Sequence, residues 1–169
     1  MKIIETERLL LREITDDDAG FILELVNEPG WIQNIGDRGV RTIDDARRYI
    51  ADKLAASYER NGFGLYLVEL KETGASAGMC GLVKRDSLED VDIGFAFLER
   101  FWSKGYAFES ASAMMDFAQN TLGLKRIVAI VSPGNHSSIK LLEKLGLHFE
   151  RMIKMPDDEE EIKLFSKEF

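Results

Sequence analysis

The segment from Val91 to Glu109 has the clearest pattern of residues that could do chemistry. If its first part is a β-strand, alternate side chains point to opposite faces. One face then carries only Asp92, Gly94 and Ala96, and the other carries bulky apolar side chains. A strand with so little on one face lets a ligand or another chain approach its backbone closely. The same pattern also fits a strand that is simply crossed by a helix.

A short turn connects this strand to an amphipathic helix that Gly105 opens. The first N–H groups of a helix are unpaired and lie at the positive end of its dipole, so they bind phosphate well. Glycine permits a positive φ and a close approach of an oxygen atom, and Lys104 adds a positive charge beside it. The turn is therefore a candidate phosphate site, although a single glycine at such a junction also has an ordinary structural explanation.

Several short motifs occur in order along the chain. They are TERLLLR from Thr6 to Arg12, DIGF from Asp92 to Phe95, WSKGYA from Trp102 to Ala107, and NHSS with LEKLG between Asn135 and Gly146. Together they resemble the GNAT superfamily of N-acetyltransferases, and in particular its RimJ/RimL-like ribosomal-protein-acetyltransferase branch. The family turn reads Q/R-x-x-G-x-G/A. Here Gly105 and Ala107 match its small positions, and Trp102 replaces its first residue, as this branch often shows.

The resemblance implies how acetyl-CoA would bind. In this family the central strand splays from its parallel neighbour, and acetyl-CoA lies in the V-shaped gap between them. Backbone groups of four consecutive residues would hold the pantetheine arm and polarise the thioester carbonyl, namely Phe95, Ala96, Phe97 and Leu98. The following turn would bind the pyrophosphate through its backbone N–H groups, in the segment made up of Trp102, Ser103, Lys104, Gly105, Tyr106 and Ala107.

Two residues of the last predicted helix would extend this cofactor site. Asn135 would hydrogen-bond the pantetheine region, but an asparagine at a helix start is also an ordinary N-cap, and the two roles are compatible. Lys144 would reach the phosphate of the adenosine, or it would be a solvated helix residue.

Asp92 is the candidate general base on the same resemblance. Relatives place a glutamate at this position, and the shorter aspartate would act through a water molecule. The alternative is a carboxylate that only orients the substrate. Many relatives use a tyrosine of the last helix to protonate the leaving thiolate, but Leu142 occupies that position here. Ser138, one turn earlier, is the candidate replacement.

The acceptor amine would lie opposite the cofactor. Residues 31–41 show no clear period and contain two glycines, which predicts a loop, and Trp31, Asn34 and Arg38 are its candidate substrate contacts. The resemblance implies transfer of an acetyl group from acetyl-CoA to a protein N-terminus or a small-molecule amine. The alternative is an acyl-CoA-binding or sensing protein without efficient turnover.

Composition narrows the class of partner. The net charge of -8 argues against nucleic acid, because duplex binding needs a basic face. No run approaches the ~18 apolar residues of a membrane helix, and the start lacks a secretory signal, so we expect a cytoplasmic protein with no membrane partner. One cysteine, Cys80, and two histidines leave little material for a metal site, and Cys80 is expected in the core. The oligomeric state stays open, with a homodimer as one candidate.

The elements that must position these residues follow from hydrophobic periodicity. Strands are predicted at residues 8–14, 63–70, 77–84, 91–98, 126–131, 147–153 and 162–169. Helices are predicted after Thr15, with a stop at Pro29 and Gly30, after Thr42, at 105–122 and at 136–145, with Asp45 completing a capping box at Thr42. This order predicts a single-domain α/β fold over residues 1–169, with a mixed, mostly antiparallel sheet flanked by helices. The GNAT resemblance adds a V-shaped splay between two central parallel strands.

Overall fold

Eight strands make up one mixed sheet in the computed structural model, which describes residues 2–156 and 158–169. They are β1 (Lys2–Glu5), β2 (Leu9–Arg12), β3 (Leu65–Leu70), β4 (Ser76–Val83), β5 (Asp92–Phe97), β6 (Arg126–Val131), β7 (His148–Lys154) and β8 (Glu161–Glu168). The strands lie in the order β1-β2-β3-β4-β5-β6-β8-β7, and within this described part only the neighbours β5 and β6 run parallel. The predicted mixed, mostly antiparallel sheet is confirmed.

The described residues also form six α-helices. They are α1 (Ala19–Val26), α2 (Pro29–Asn34), α3 (Ile43–Tyr49), α4 (Ala56–Asn61), α5 (Tyr106–Asp116) and α6 (His136–Lys144). A π-helical turn at Ile50–Ala55 joins α3 to α4, and another at Phe117–Thr121 ends α5. None of the helices in residues 2–156 and 158–169 is long and apolar enough to cross a bilayer.

Two apolar clusters lie between the helices and the sheet. One joins the sheet to α5 and α6 and contains Ile93, Phe97 and the fully buried Cys80. The other joins the sheet to the helices of the N-terminal half and contains Leu98, with Ala96 packed against it. Side chains of the β5 region therefore alternate between the two clusters, and β5 lies at the centre of the molecule.

The helix after Thr42 begins as its sequence predicts. The Thr42 hydroxyl accepts a bond of 3.0 Å from the Asp45 N–H, and the Asp45 carboxylate accepts one of 3.2 Å from the Thr42 N–H. This reciprocal pair satisfies two N–H groups that the first helical turn leaves without partners. The predicted capping box is confirmed.

Two segments differ from the sequence-based prediction. Residues 2–5 pair with β2 as a strand, which was not predicted because so short an edge strand depends on its neighbour. Residues 29–34 form a helix where a stop and a loop were predicted. Pro29 occupies the first helical turn, where its missing N–H would have had no partner anyway, so it starts this helix.

Candidate active site

The parallel strands β5 and β6 meet at one end and separate toward the other. Their pairing among the described residues is a single bridge between Asp92 and Val128, beside a bond of 3.1 Å from the Val128 N–H to the Val91 carbonyl. On its other edge, β5 pairs with β4 along its whole length, from Asp92 to Phe97. A V-shaped cleft therefore opens beyond Asp92, in agreement with the expected splay.

Backbone alternation decides which groups of β5 face the cleft. In an antiparallel pair, successive residues direct their backbone groups to opposite edges of the strand. The Leu98 N–H donates to a β4 carbonyl over 3.0 Å, whereas the Val91 carbonyl accepts from β6. The backbone groups of Ala96 and Leu98 therefore point to β4. Of the four residues expected at the pantetheine arm, only Phe95 and Phe97 direct backbone groups into the cleft.

The side chain of Trp102 already hydrogen-bonds one of these cleft-facing backbone groups. Its indole Nε1–H donates to the Phe97 carbonyl over 2.8 Å, although the residue as a whole is 48% exposed. The Phe97 carbonyl is therefore already bonded, and its N–H is the group left facing the cleft. Trp102 was expected in the phosphate-binding turn, but its side chain reaches back to the strand.

The turn between β5 and α5 has the backbone shape of an anion site. Ser103 and Gly105 both adopt positive φ, at 61° and 83°. The first helical bond of α5 runs from the Glu109 N–H to the Gly105 carbonyl over 3.0 Å. The N–H groups at positions 106–108 therefore have no acceptor within the helix, and they lie at its positive end.

Arg8 and Glu109 hold this turn against the start of β2. The Arg8 guanidinium donates to the Lys104 carbonyl over 3.0 Å and to the Glu109 carboxylate over 2.7 Å. The same carboxylate accepts the Arg8 N–H at 3.0 Å and the Thr6 hydroxyl at 2.5 Å. Burial alone would raise the pKa of Glu109, but these bonds lower it below its ordinary value. The Thr6–Arg12 motif therefore helps to hold the turn before α5 in place, a role that its sequence did not indicate.

A surface groove of about 700 Å³ runs beside the start of α5. It is lined in part by Arg8, Gly105, Phe108 and Lys144. The Lys144 ammonium lies 4.2 Å from the centre of the Phe108 ring, which brings α6 close to the start of α5. The structure therefore brings Lys144 and Gly105 to one groove, as a shared phosphate-binding role requires.

Asp92 lies at the point where the cleft begins to open. It is 1% exposed, and its Oδ2 accepts a bond of 2.7 Å from Arg85 Nε. Burial raises the pKa of Asp92 above its ordinary value, and the charge and hydrogen bond of Arg85 offset only part of that effect. Arg85 follows the end of β4 and was missed from the sequence, because only the pairing of Val83 with Asp92 brings it close.

Tyr49 is a half-buried polar residue of α3 that the sequence did not indicate. Burial raises the pKa of Tyr49, while the nearby positive charges of Arg38 and Arg85 oppose the rise. Arg38 and Tyr49 also line a shallow cavity of about 240 Å³. Tyr49 therefore shares a cavity with Arg38 and feels the charge of Arg85, the residue that pairs with Asp92.

The three candidate substrate contacts, in α2 and the loop that follows it, differ in burial and in hydrogen bonding. Trp31 is 6% exposed, and its buried indole N–H has no hydrogen-bond partner among the described residues. The Asn34 amide donates to the Gly30 carbonyl of its own helix over 3.1 Å. Arg38 is exposed. Of the three candidate substrate contacts, Arg38 is therefore the accessible one, while Asn34 is half-buried and the Trp31 donor is buried.

The start of α6 shows what Asn135 and Ser138 do in the folded chain. The Asn135 side chain accepts a bond of 3.3 Å from the Ser138 N–H, so Asn135 is the N-cap of this helix. Ser138 is half-buried in the first turn. Leu142, one turn later, is 2% exposed and belongs to the apolar cluster. A proton donor at position 142 is therefore absent.

A family model described as the acetyltransferase (GNAT) domain matches residues 8–148. This chain belongs to the GNAT acetyltransferases. The Bacillus subtilis protein YkkB is 30% identical over 152 residues, which cover 88% of this chain and 87% of YkkB. The N-acetyltransferase YoaA of the same organism is 30% identical over 154 residues, or 90% and 86% of the two chains.

Solved GNAT structures have the same architecture. An acetyltransferase from Agrobacterium tumefaciens is 25% identical, with a TM-score of 0.83 over 100% of this chain and 95% of its own. RimL, a ribosomal alpha-N-protein acetyltransferase solved in complex with coenzyme A, has a TM-score of 0.85 at 17% identity, over 99% and 98% of the two chains. At that identity, the likeness to RimL concerns the fold alone.

The cleft of this GNAT chain fits coenzyme A on its own geometry. An extended amide chain could pair with the cleft-facing backbone of Phe95 and the N–H of Phe97. Two phosphates could then meet the N–H groups at positions 106–108, with Arg8 and Lys144 supplying positive charge nearby. These groups follow one another along the chain from β5 to α5, in the order that an acyl-pantetheine and its pyrophosphate require.

Proposed function

We propose that this GNAT member transfers an acetyl group from acetyl-CoA to an amine by direct attack of the amine on the thioester. The observation that carries the proposal is the joint geometry of β5 and α5, where the cleft-facing backbone of Phe95 and Phe97 leads to the unpaired N–H groups at 106–108. When bound, acetyl-CoA supplies an acyl group that is already activated as a thioester. Residues 1–169 would act as one catalytic domain, in the cytoplasm.

Asp92 is the proposed general base. An amine must be neutral to attack, and a base is most effective when its pKa lies near the working pH. Burial raises the pKa of Asp92 in that direction, and Arg85 holds one carboxylate oxygen in place over 2.7 Å. Asp92 would take the proton of the acceptor amine, through water.

Ser138 is the proposed hydrogen-bond donor to the departing sulfur. The apolar Leu142 cannot take this role, and the thiol needs little assistance at neutral pH because a free thiol has a pKa of ~8.5. When the CoA thiolate leaves the tetrahedral carbon, it would therefore need a hydrogen-bond donor that stabilises the sulfur, and not a strong acid.

The acceptor is proposed to approach from the side of α2 and Arg38. RimL is named as an alpha-N-protein acetyltransferase, so a protein N-terminus is one acceptor class to test, and a small-molecule amine is the other. The test measures CoA release from acetyl-CoA with a thiol reagent, using peptides with free N-termini, amino acids and polyamines. We expect release that depends on one of these classes. Tight acetyl-CoA binding without release on any acceptor would instead indicate a sensor.

A further inference from the structure

Trp102 makes two contacts that no role in phosphate binding requires. Its indole N–H donates to the Phe97 carbonyl over 2.8 Å, at the open end of the cleft. The six-membered ring of the same indole lies against Gly30, where an added Cβ would be 3.1 Å from Cη2 and 3.2 Å from Cζ2. A large side chain that is 48% exposed therefore has both of its fused rings in defined contacts.

The first contact completes the bonding of the last peptide group of β5. The N–H of this group, on Leu98, donates to the Ala77 carbonyl of β4 over 3.0 Å. Its carbonyl, on Phe97, is held by the indole on the opposite side. The Phe97–Leu98 peptide is thus bonded at both ends, and it adjoins the Ala96–Phe97 peptide, whose N–H faces the cleft.

The second contact belongs to a wider junction between residues 24–30 and 99–102. The Glu28 carboxylate accepts the Glu99 N–H over 2.7 Å, and Glu24 pairs with Arg100 over 2.7 Å. Gly30 and Trp102 pack at the end of this junction, directly before Trp31. The connection that leads to the phosphate-binding turn is therefore docked on the segment that leads to the proposed acceptor side.

We propose that Trp102 is a positioning residue that aligns the cleft-facing backbone of β5 with α2, acting through Phe97 and Gly30. The inference rests on the function proposed above. It assigns Trp102 to the pantetheine end of the cofactor and not to its phosphates. Without the indole, the Phe97 carbonyl loses its partner, and the peptide that follows the cleft-facing N–H of Phe97 is held on one side only.

The test compares acetyl-CoA with adenosine 3′,5′-bisphosphate, which lacks the pantetheine arm and the phosphate attached to it and therefore reports on the adenosine end of the site and the turn. In Trp102→Phe, which keeps an aromatic ring but removes the donor, isothermal titration should show acetyl-CoA binding weakened about five- to tenfold, the range expected for one hydrogen bond. Adenosine 3′,5′-bisphosphate should bind within about twofold of the unchanged protein. Equal weakening of both ligands, or no weakening of acetyl-CoA, would overturn the inference.

The outcome for the unchanged protein separates this inference from the function on which it rests. If the unchanged protein does not bind acetyl-CoA, the proposed function fails and the inference fails with it. If it binds acetyl-CoA and Trp102→Phe binds equally well, only the role of Trp102 fails.

A second pair of variants tests the contact with Gly30. Gly30→Ala should weaken acetyl-CoA binding because the added Cβ displaces the indole, and the effect should shrink in the Trp102→Phe background, where the ring is smaller. Gly20→Ala is the matched control, since a Cβ there meets nothing within 4 Å. Additive effects of the two substitutions would contradict a role of Trp102 through Gly30.

Discussion

Asp92 is nearly inaccessible, and a buried carboxylate must be paired or protonated. Arg85 pairs with one of its oxygens, yet the pKa of Asp92 remains above its ordinary value because burial is the larger effect. This balance suits a residue that accepts a proton during turnover and releases it afterwards.

Replacing Asp92 by Asn should lower the rate of acetyl transfer by at least about tenfold, a conservative bound because a general base typically contributes ~10²–10⁴. Because the base is inactive when protonated, the rate should fall as the pH drops through the raised pKa of Asp92, which lies above the ordinary 3.8. Rate–pH profiles of the two proteins check this, and the Asn variant should lack that acidic limb. Asp90→Asn, which removes a nearby carboxylate that pairs with Arg126 instead, is the control. An unchanged profile in Asp92→Asn would remove Asp92 from the role.

The start of α5 is the proposed anion site, and its backbone geometry depends on one glycine. Gly105 has φ 83°, and an added Cβ there would lie 3.2 Å from the Arg8 guanidinium. The residue therefore permits both the left-handed backbone and the close packing of Arg8 on the turn. Any side chain at this position would disturb the N–H groups that follow it.

Gly105→Ala should destabilise the fold by about 1–2 kcal/mol, the cost of a left-handed conformation for a non-glycine residue. It should also weaken acetyl-CoA binding about fivefold or more, as expected for a displaced N–H bond to phosphate. Gly123→Ala is a matched control, because Gly123 has φ 70° and an added Cβ meets nothing within 4 Å. That variant should lose stability similarly but bind acetyl-CoA unchanged, as measured by urea unfolding and titration. Equal binding by both variants would contradict the anion site at Gly105.

Most strands and helices were predictable because their signals are local. The β5–turn–α5 segment shows this, since alternation, a glycine and an amphipathic stripe all lie within twenty-odd residues. The edge strand at 2–5 was not predictable, because its hydrogen bonds come from β2. Pro29 was misinterpreted because proline both ends helices and begins them, and the sequence alone does not distinguish the two cases.

Residues of the candidate site could be predicted where the local sequence pattern singles them out. They could not be predicted where their role depends on tertiary contacts. Asp92 and Gly105 stood out from their neighbours in sequence. The partners Arg85 and Glu109 did not, since Glu109 meets Arg8 across a hundred residues of chain. Backbone direction along β5 likewise requires knowing which strand pairs with each edge.

At the scale of the whole molecule, one arginine holds the closed end of the cleft. Arg126, at the start of β6, pairs with Asp90 before β5 at 3.0 Å, with Glu168 of β8 at 2.7 Å and with Glu150 of β7 at 2.5 Å. These pairs tie four strands together where β5 and β6 still touch. The cleft therefore opens only at the other end, toward α5.

Replacing Arg126 by Gln should lower the free energy of unfolding at pH 7 by about 1 kcal/mol, since the pairs are partly exposed and each contributes little alone. Arg126 lowers the pKa of Glu150, so this stabilisation is present above the ordinary value of 4.5 and is lost as the pH falls through the lower folded value. The difference between the two proteins should therefore shrink in acid, as measured by urea unfolding at several pH values. Lys125→Gln removes a neighbouring positive charge as a control, and a difference independent of pH would contradict the role of the carboxylates.

Thermal unfolding with and without acetyl-CoA tests the central claim most directly, because it needs no acceptor. At a ligand concentration 100 times its Kd, a single site should stabilise the folded chain by about 2.7 kcal/mol. We predict this stabilisation with acetyl-CoA, and a smaller one with adenosine 3′,5′-bisphosphate. No stabilisation by acetyl-CoA or any longer acyl-CoA would contradict the assignment of the cleft between β5 and β6 as a cofactor site.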